Sequence, residues 1–226
     1  LTNNRKFVKI QLHFPNIQKE RECDKKGSVM KKSFYTLLFA IFMIPAPKAV
    51  AAELPWQGAQ IQAGIGGSIP VHGEAIALRA SGMLFTVPEN KLIMFFSYAG
   101  PVFAPVEWFW IAPQIGYAAN WMETDAGIGS VWIGFSFFQG KLTIFTENEA
   151  IFNHKKADYY GYHAVDYNPL DWVNAGIQVE AVNRLATFGP HIGFSKGPWH
   201  FEVQWHVGAQ EENLGHAVRI FTCLNF

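Results

Sequence analysis

Hydrophobic and polar residues alternate, one for one, through the C-terminal half of the chain. In Val173–Val182, Val173, Ala175, Ile177, Val179 and Ala181 take one parity, and Asn174, Gly176, Gln178 and Glu180 the other. Over 199–210 the split repeats, with Trp199, Phe201, Val203, Trp205 and Val207 against His200, Glu202, Gln204, His206 and Gly208. The ranges 188–195 and 218–226 follow the same rule, the last pairing Val218, Ile220, Thr222 and Leu224 against Arg219, Phe221 and Cys223. A period of two sustained over four segments predicts β-strands, since successive side chains on a strand point to opposite faces. Upstream, Phe109–Trp121 and 131–138 alternate, and Gln139-Gly140 reads as a tight turn into Leu142–Phe152. The ranges 58–66, 74–86 and 92–99 complete the set, although the Ala-rich 74–81 also suits a short helix.

Turn formers separate these runs at Pro88-Glu89-Asn90, Gly100-Pro101, Glu123-Thr124-Asp125, Lys196-Gly197-Pro198 and Glu211-Glu212-Asn213. No crossover helix intervenes. The expected fold is all-β, an antiparallel meander closed into a transmembrane β-barrel of about 8–10 strands, with ten favoured. In that count 153–170 is the longest connection and falls on the side of the two chain termini. Either 159–166 hides a further strand or an N-terminal strand is misassigned; an even strand number is expected.

Alternation alone does not say which face looks inward. A soluble ligand-binding barrel buries its apolar face, and a membrane barrel turns it out to lipid. The polar face here is built from Gly, Asn, Gln, Ser and His with few charges, which suits a narrow lumen better than a water-facing surface. Aromatic residues near strand ends (Tyr117, Trp121, Trp172, Trp199, Phe226) match interfacial girdles. The apolar face is therefore expected outside, with Phe201, Val203 and Trp205 toward lipid and Glu202, Gln204 and His206 toward the lumen.

Charge sharpens this picture. The 226 residues have a formal net charge of +0, but residues 1–52 hold ten of the eighteen Lys and Arg and only three acids, Glu20, Glu22 and Asp24. The remaining residues carry eight bases and fifteen acids, so that part is about −7. From Met30 the chain has a basic start (Lys31, Lys32), an apolar core over 34–44 and small residues at Ala49, Ala51 and Ala52. This predicts a secretory signal peptide over 30–52, cleaved after Ala51 or Ala52, too short in its apolar core to span a membrane. Residues 1–29 read as an over-extended start, and 53–226 as the barrel. Cys23 falls in the discarded part, leaving Cys223 alone and no intramolecular disulfide.

The signal peptide, the aromatic-rich meander and the closing run Val218-Arg219-Ile220-Phe221-Thr222-Cys223-Leu224-Asn225-Phe226 resemble small Gram-negative outer-membrane β-barrel proteins, porin-like in architecture. The resemblance covers the chain from 53 onward, is architectural, and carries over no catalytic motif. It implies cell outer-membrane localisation, outer-membrane lipid as surroundings, and barrel-assembly and periplasmic chaperone machinery as partners. It makes Phe226 the assembly signal. Nucleic acid is not an expected partner for so acidic and aromatic a domain.

Chemistry is sparse. His200, Glu202 and His206 share one face, with Glu180 and His191 on neighbouring strands. His200 and Glu202 lie about 7 Å apart along a strand, but His206 is about 13 Å further, too far to share a metal ion. These five residues and Arg219 are expected instead to form a hydrogen-bonded lumen network, with Arg219 neutralising Glu180 or Glu202 and Glu202 taken as its partner. No cofactor or metal is expected. Ser195, His191 and Glu180 supply the residue types of a hydrolase triad, without a Gly-x-Ser-x-Gly motif. Cys223 reads as a packed thiol and Trp108-Phe109-Trp110 as a membrane anchor or stacking surface. Gly64, Gly66 and Gly67 precede no helix and form no phosphate loop. Three functions remain open: a non-enzymatic barrel with a structural, surface-contact or narrow-pore role, which is favoured; an outer-membrane lipid-modifying acyl hydrolase or transferase; and a soluble periplasmic carrier of an apolar ligand.

Overall fold

A computed structural model describes residues 58–73, 75–209 and 215–226. The expected signal peptide, the segment 1–29 with Cys23, and the Glu211-Glu212-Asn213 turn lie outside the described residues. The described chain forms one closed sheet of eleven strands: β1 (Gly58–His72), β2 (Ile76–Val87), β3 (Leu92–Val106), β4 (Phe109–Trp121), β5 (Thr124–Phe137), β6 (Leu142–Phe152), β7 (Ala157–Leu170), β8 (Val173–Val182), β9 (Leu185–Lys196), β10 (Trp199–Gly208) and β11 (His216–Asn225). Each strand pairs antiparallel with the next, and β1 closes on β11 in parallel. The parallel seam follows from parity, because an odd number of up-and-down strands leaves the first and last pointing the same way.

The favoured count of ten strands is short by one, and the number is odd rather than even. The missing strand is β7, which fills most of the connection assigned to 153–170 and leaves a short turn in which Asn153 N donates to Lys156 O at 3.0 Å. Of the two alternatives for the long connection, the hidden strand over 159–166 is the one found. As a result Gly58 and Asn225 sit at opposite ends of their parallel strands, not at one common rim. The helical alternative for 74–81 is also replaced: β2 covers it from Ile76. Its partners on both sides supply a full ladder, and that outweighs the local helix preference of alanine.

The apolar parity faces out. On β10 Phe201 is 41% exposed and Trp205 51%, whereas Glu202, Gln204 and His206 are 7%, 4% and 2% exposed. On β11 Val218 and Ile220 lie outside and Arg219 inside. Ile61, Ile65, Leu84, Phe95, Ile115, Ile177, Phe188 and Ile192 extend the same apolar surface around the barrel. Among the described residues no helix is long and apolar enough to cross a membrane, a statement that does not bear on strands.

Trp121 departs from the expected girdle. Asn120 adopts φ +62° and the β4–β5 register slips between Ala118 and Trp121. This bulge adds one residue and turns the indole inward, where it is 1% exposed. It joins Phe85, Val87, Met94, Phe96, Ala118, Ala126, Ile128, Ile151 and Val182 in an apolar cluster that fills one end of the barrel. Phe96 and Trp121 meet edge to face at 6.1 Å between ring centres. Asp158 holds the plug from above: Trp121 Nε1 donates to its Oδ2 at 3.0 Å, Asn183 Nδ2 to its Oδ1 at 3.0 Å, and Lys156 Nζ stands 3.0 Å away.

Candidate functional site

Beyond the plug the interior becomes polar and encloses a cavity of about 450 Å³. Its lining reaches Thr143, Asn168, Asn174 and Ser195, beside the turns of the opposite rim, so the lumen is a pocket with one blind end. One wall is aromatic. Tyr98, Trp132, Phe145 and Tyr162 make a run of ring contacts from β3 to β7, with centres 5.4 to 6.1 Å apart. The other wall is the polar parity of β8–β11.

Arg219 is the hub of that wall. Its Nη2 donates to Glu180 Oε2 at 2.7 Å, its Nε to Gln60 Oε1 at 2.8 Å across the β1–β11 seam, and its Nη1 to Gln204 Oε1 at 3.3 Å. The guanidinium also lies 5.3 Å from the Phe85 ring centre, which joins the network to the plug. The expected pairing of Arg219 with Glu202 is therefore corrected to Glu180. Arg219 stands directly across from Gln204 on β10, and its side chain reaches over that strand to β8. Glu180 further accepts from Tyr160 Oη at 3.0 Å and lies 3.5 Å from His206 Nδ1. His206 contacts Thr187 Oγ1 at 3.1 Å through Nδ1 and Gln204 Oε1 at 3.0 Å through Nε2.

His191 sits between Asp166 and the amide oxygen of Gln178, contacting each through one ring nitrogen. A β-carbon at Gly176 would run into the Val165 carbonyl and lie 2.8 Å from His191 Nε2, so the glycine makes room for the neighbouring backbone and for the ring. Asn174 Nδ2 donates to Asp166 Oδ1 at 3.0 Å and to Glu202 Oε2 at 3.2 Å. Glu202 also accepts from Gln204 Nε2 at 2.7 Å. His200 completes the chain, with Nε2 3.3 Å from Glu202 Oε2 and Nδ1 3.0 Å from Ser195 Oγ. The structure thus links Glu180, Glu202, His200, His206 and Arg219 through a continuous set of contacts and reaches His191 through Asn174 and Asp166.

Ser195 does not meet His191, its partner in the triad considered from sequence; it meets His200. The two-residue turn Gly197-Pro198 sets Lys196 opposite Trp199 and hence Ser195 opposite His200. Among the described residues no group of His, Cys, Asp and Glu is arranged to hold a metal ion. Cys223 lines the cavity, and the cluster at 108–110 is divided by the wall, with Trp108 outside and Trp110 packed on Phe145 inside.

Sequence reasoning passed over a second charged cluster. Arg79 stacks over Trp132 at 5.1 Å, near Glu147, which in turn lies beside Glu149. Glu147 and Glu149 share a parity on β6, a signal present in Leu142–Phe152 but obscured by the polar residues Thr146 and Asn148 between and beside them. Comparison of the chain with protein-family models, with curated proteins and with solved structures finds no match. The class the chain defines is that of the fold: an up-and-down meander closed through one parallel seam, with an apolar exterior and an interior that is polar beyond an apolar plug.

Proposed function

We propose that this chain is an exported outer-membrane β-barrel that sits in lipid and serves a structural or surface-contact role rather than that of a conducting pore. The observation that carries the reading is its sidedness: Phe201 and Trp205 are outside while Glu202, Gln204 and His206 are inside. A soluble carrier of an apolar ligand needs the reverse. The strands are long enough for the task. A strand of 10 residues such as β8 extends about 33 Å and, tilted by about 45°, crosses about 23 Å, close to the apolar thickness of an outer membrane. The plug around Trp121 and Phe96 supports a blocked lumen. The network of Glu180, His191, His200, Glu202, His206 and Arg219 is read as the internal brace of the wall. Phe226, 60% exposed and hydrogen-bonded through its N–H to Gly66 O at 2.9 Å, is read as the signal for barrel assembly, with periplasmic chaperones as transient partners.

Cysteines placed singly along β10 test the reading in isolated envelopes. Positions 201, 203 and 205 should react with a lipid-soluble maleimide and positions 202, 204 and 206 should not. Recovery of the protein in the soluble periplasmic fraction, or the opposite labelling pattern, would falsify it.

A further inference from the structure

We infer that Ser195, His200 and Glu202 form a nucleophilic site that hydrolyses small esters entering the lumen from the open rim. The inference goes beyond the structural reading and does not depend on which membrane holds the barrel.

Three independent features support it. The contacts run in the order catalysis needs: Ser195 Oγ to His200 Nδ1 at 3.0 Å, and His200 Nε2 to Glu202 Oε2 at 3.3 Å. Only one tautomer satisfies both, because ionised Glu202 can only accept. The Nε2–H then donates to the carboxylate, and the Nδ1 lone pair accepts from the serine hydroxyl. That is the protonation state of a general base oriented by an acid.

The second feature is that the orienting carboxylate is held in place. Glu202 is buried and accepts from Gln204 at 2.7 Å and from Asn174 at 3.2 Å. The third is space made for the imidazole. A β-carbon at position 193 would lie 2.9 Å from His200 Cε1 and 2.2 Å from Asn174 Oδ1, so Gly193 is the residue that lets both side chains sit where they do. Ser195 and His200 both line the cavity, so the nucleophile opens onto a space able to hold a substrate.

The cavity limits what that substrate is. About 450 Å³ accommodates a small molecule and not a multi-chain lipid. The wall of Trp132, Phe145 and Tyr162 offers apolar surface for an acyl or aryl group, which points to a short-chain or aryl carboxylic ester. In the first half-reaction Ser195 Oγ bonds to the carbonyl carbon while its proton passes to His200 Nδ1. The C–O bond to the alcohol then breaks and the alcohol departs with that proton. In the second, water attacks the acyl-serine, giving its proton to His200. The carboxylic acid leaves as the proton returns to Ser195 Oγ. The balance is ester plus water to acid plus alcohol, with no other reactant.

The test uses the purified full-length protein in detergent, with a fluorophosphonate that phosphonylates activated serines and with p-nitrophenyl butyrate as substrate. The adduct should map to the peptide containing Ser195, and Ser195→Ala should abolish labelling and lower butyrate hydrolysis at least about 100-fold. Glu202→Gln should lower kcat by a similar factor with KM unchanged, and Glu202→Asp should restore part of it, a split that a merely structural carboxylate would not produce. Gly193→Ala should reduce labelling by displacing His200. Absence of an adduct on Ser195 in wild-type protein whose thermal melt is intact overturns the proposal, as does hydrolysis that survives Ser195→Ala. Envelope fractionation is unaffected by either result, so failure here leaves the membrane reading standing and the reverse is equally true.

Discussion

Two neighbouring regions of the barrel interior solve the same problem with different chemistry. At the closed end Phe85, Met94, Phe96, Trp121, Ile128 and Ile151 fill the lumen with apolar volume, and a polar clamp at Asp158 holds the indole. Directly against it, on the side of the open rim, Arg219, Glu180, Gln204, His206 and Gln60 fill the lumen with hydrogen bonds, and the Arg219 guanidinium touches Phe85 of the plug. The plug depends on shape, so its losses should follow the volume removed. The network depends on matched partners, so its losses should depend on which partner is removed and whether another is left stranded. Only the second arrangement leaves polar groups beside open space, and Ser195 is found there.

The largest effect is expected from Arg219→Met. Glu180 would be left buried beside His206 without its guanidinium, and Gln60 and Gln204 would lose a donor. Breaking a buried pair from one side costs about 3–5 kcal/mol, and the upper end is expected here. Adding Glu180→Leu should recover a large part of that loss in a detergent melt, and adding Glu202→Leu should not. Equal recovery from the two second changes would mean that the wall responds to total charge and not to partners.

Phe96→Ala probes the plug. The ring packs edge-on against Trp121, and its removal leaves a hole that the strand scaffold cannot collapse, costing about 3–4 kcal/mol. Unlike the Arg219 variant, it should not be rescued by any single polar replacement nearby. Rescue by a small hydrophobic molecule binding in the hole, seen as a raised melting temperature, would strengthen the distinction.

Legibility in the sequence divides along the same line. Where the interior is a polar network, alternation has contrast: β8 and β4 run over the segments expected, and the ranges predicted for β9–β11 match to within a few residues. Where the interior is apolar, both parities are hydrophobic. In β2 and β3, Leu84 and Phe95 point out while Phe85 and Phe96 point in, so alternation has little contrast, yet the expected 74–86 and 92–99 fall on β2 and the first half of β3; the part missed is 100–106, because β3 continues through the Gly100-Pro101 expected as a turn. β7 fails differently. Its inward parity carries Tyr160 and Tyr162 and its outward parity Tyr159 and His163, so the contrast is nearly erased. Trp121 was assigned outside because a bulge changes parity without a residue type that announces it; its sign is the positive φ of Asn120. The Ser195–His200 contact was legible. A two-residue Gly197-Pro198 turn fixes that pairing by counting alone, while His191 lies on the same strand as Ser195 and four residues away.

The smallest effects come from a mirrored pair of nearly isosteric changes, and they sharpen the comparison most. Val87 is fully buried in the plug, and Thr187 contacts His206 Nδ1 at 3.1 Å in the network. Val87→Thr adds a hydroxyl among apolar neighbours. Unless it reaches a backbone carbonyl it goes unpaired, and about 1–3 kcal/mol is lost. Thr187→Val removes one hydrogen bond from a histidine that keeps its contact with Gln204 and stays beside Glu180, so only about 0.5–1.5 kcal/mol is lost. Volume hardly changes in either, so packing drops out and the melts report polarity alone. The plug should therefore tolerate the gain of a hydroxyl less well than the network tolerates the loss of one. A neutral Val87→Thr accompanied by rapid exchange of the surrounding amides would show that water reaches the closed end, and the lumen would then be one continuous polar channel instead of a pocket stopped by an apolar plug.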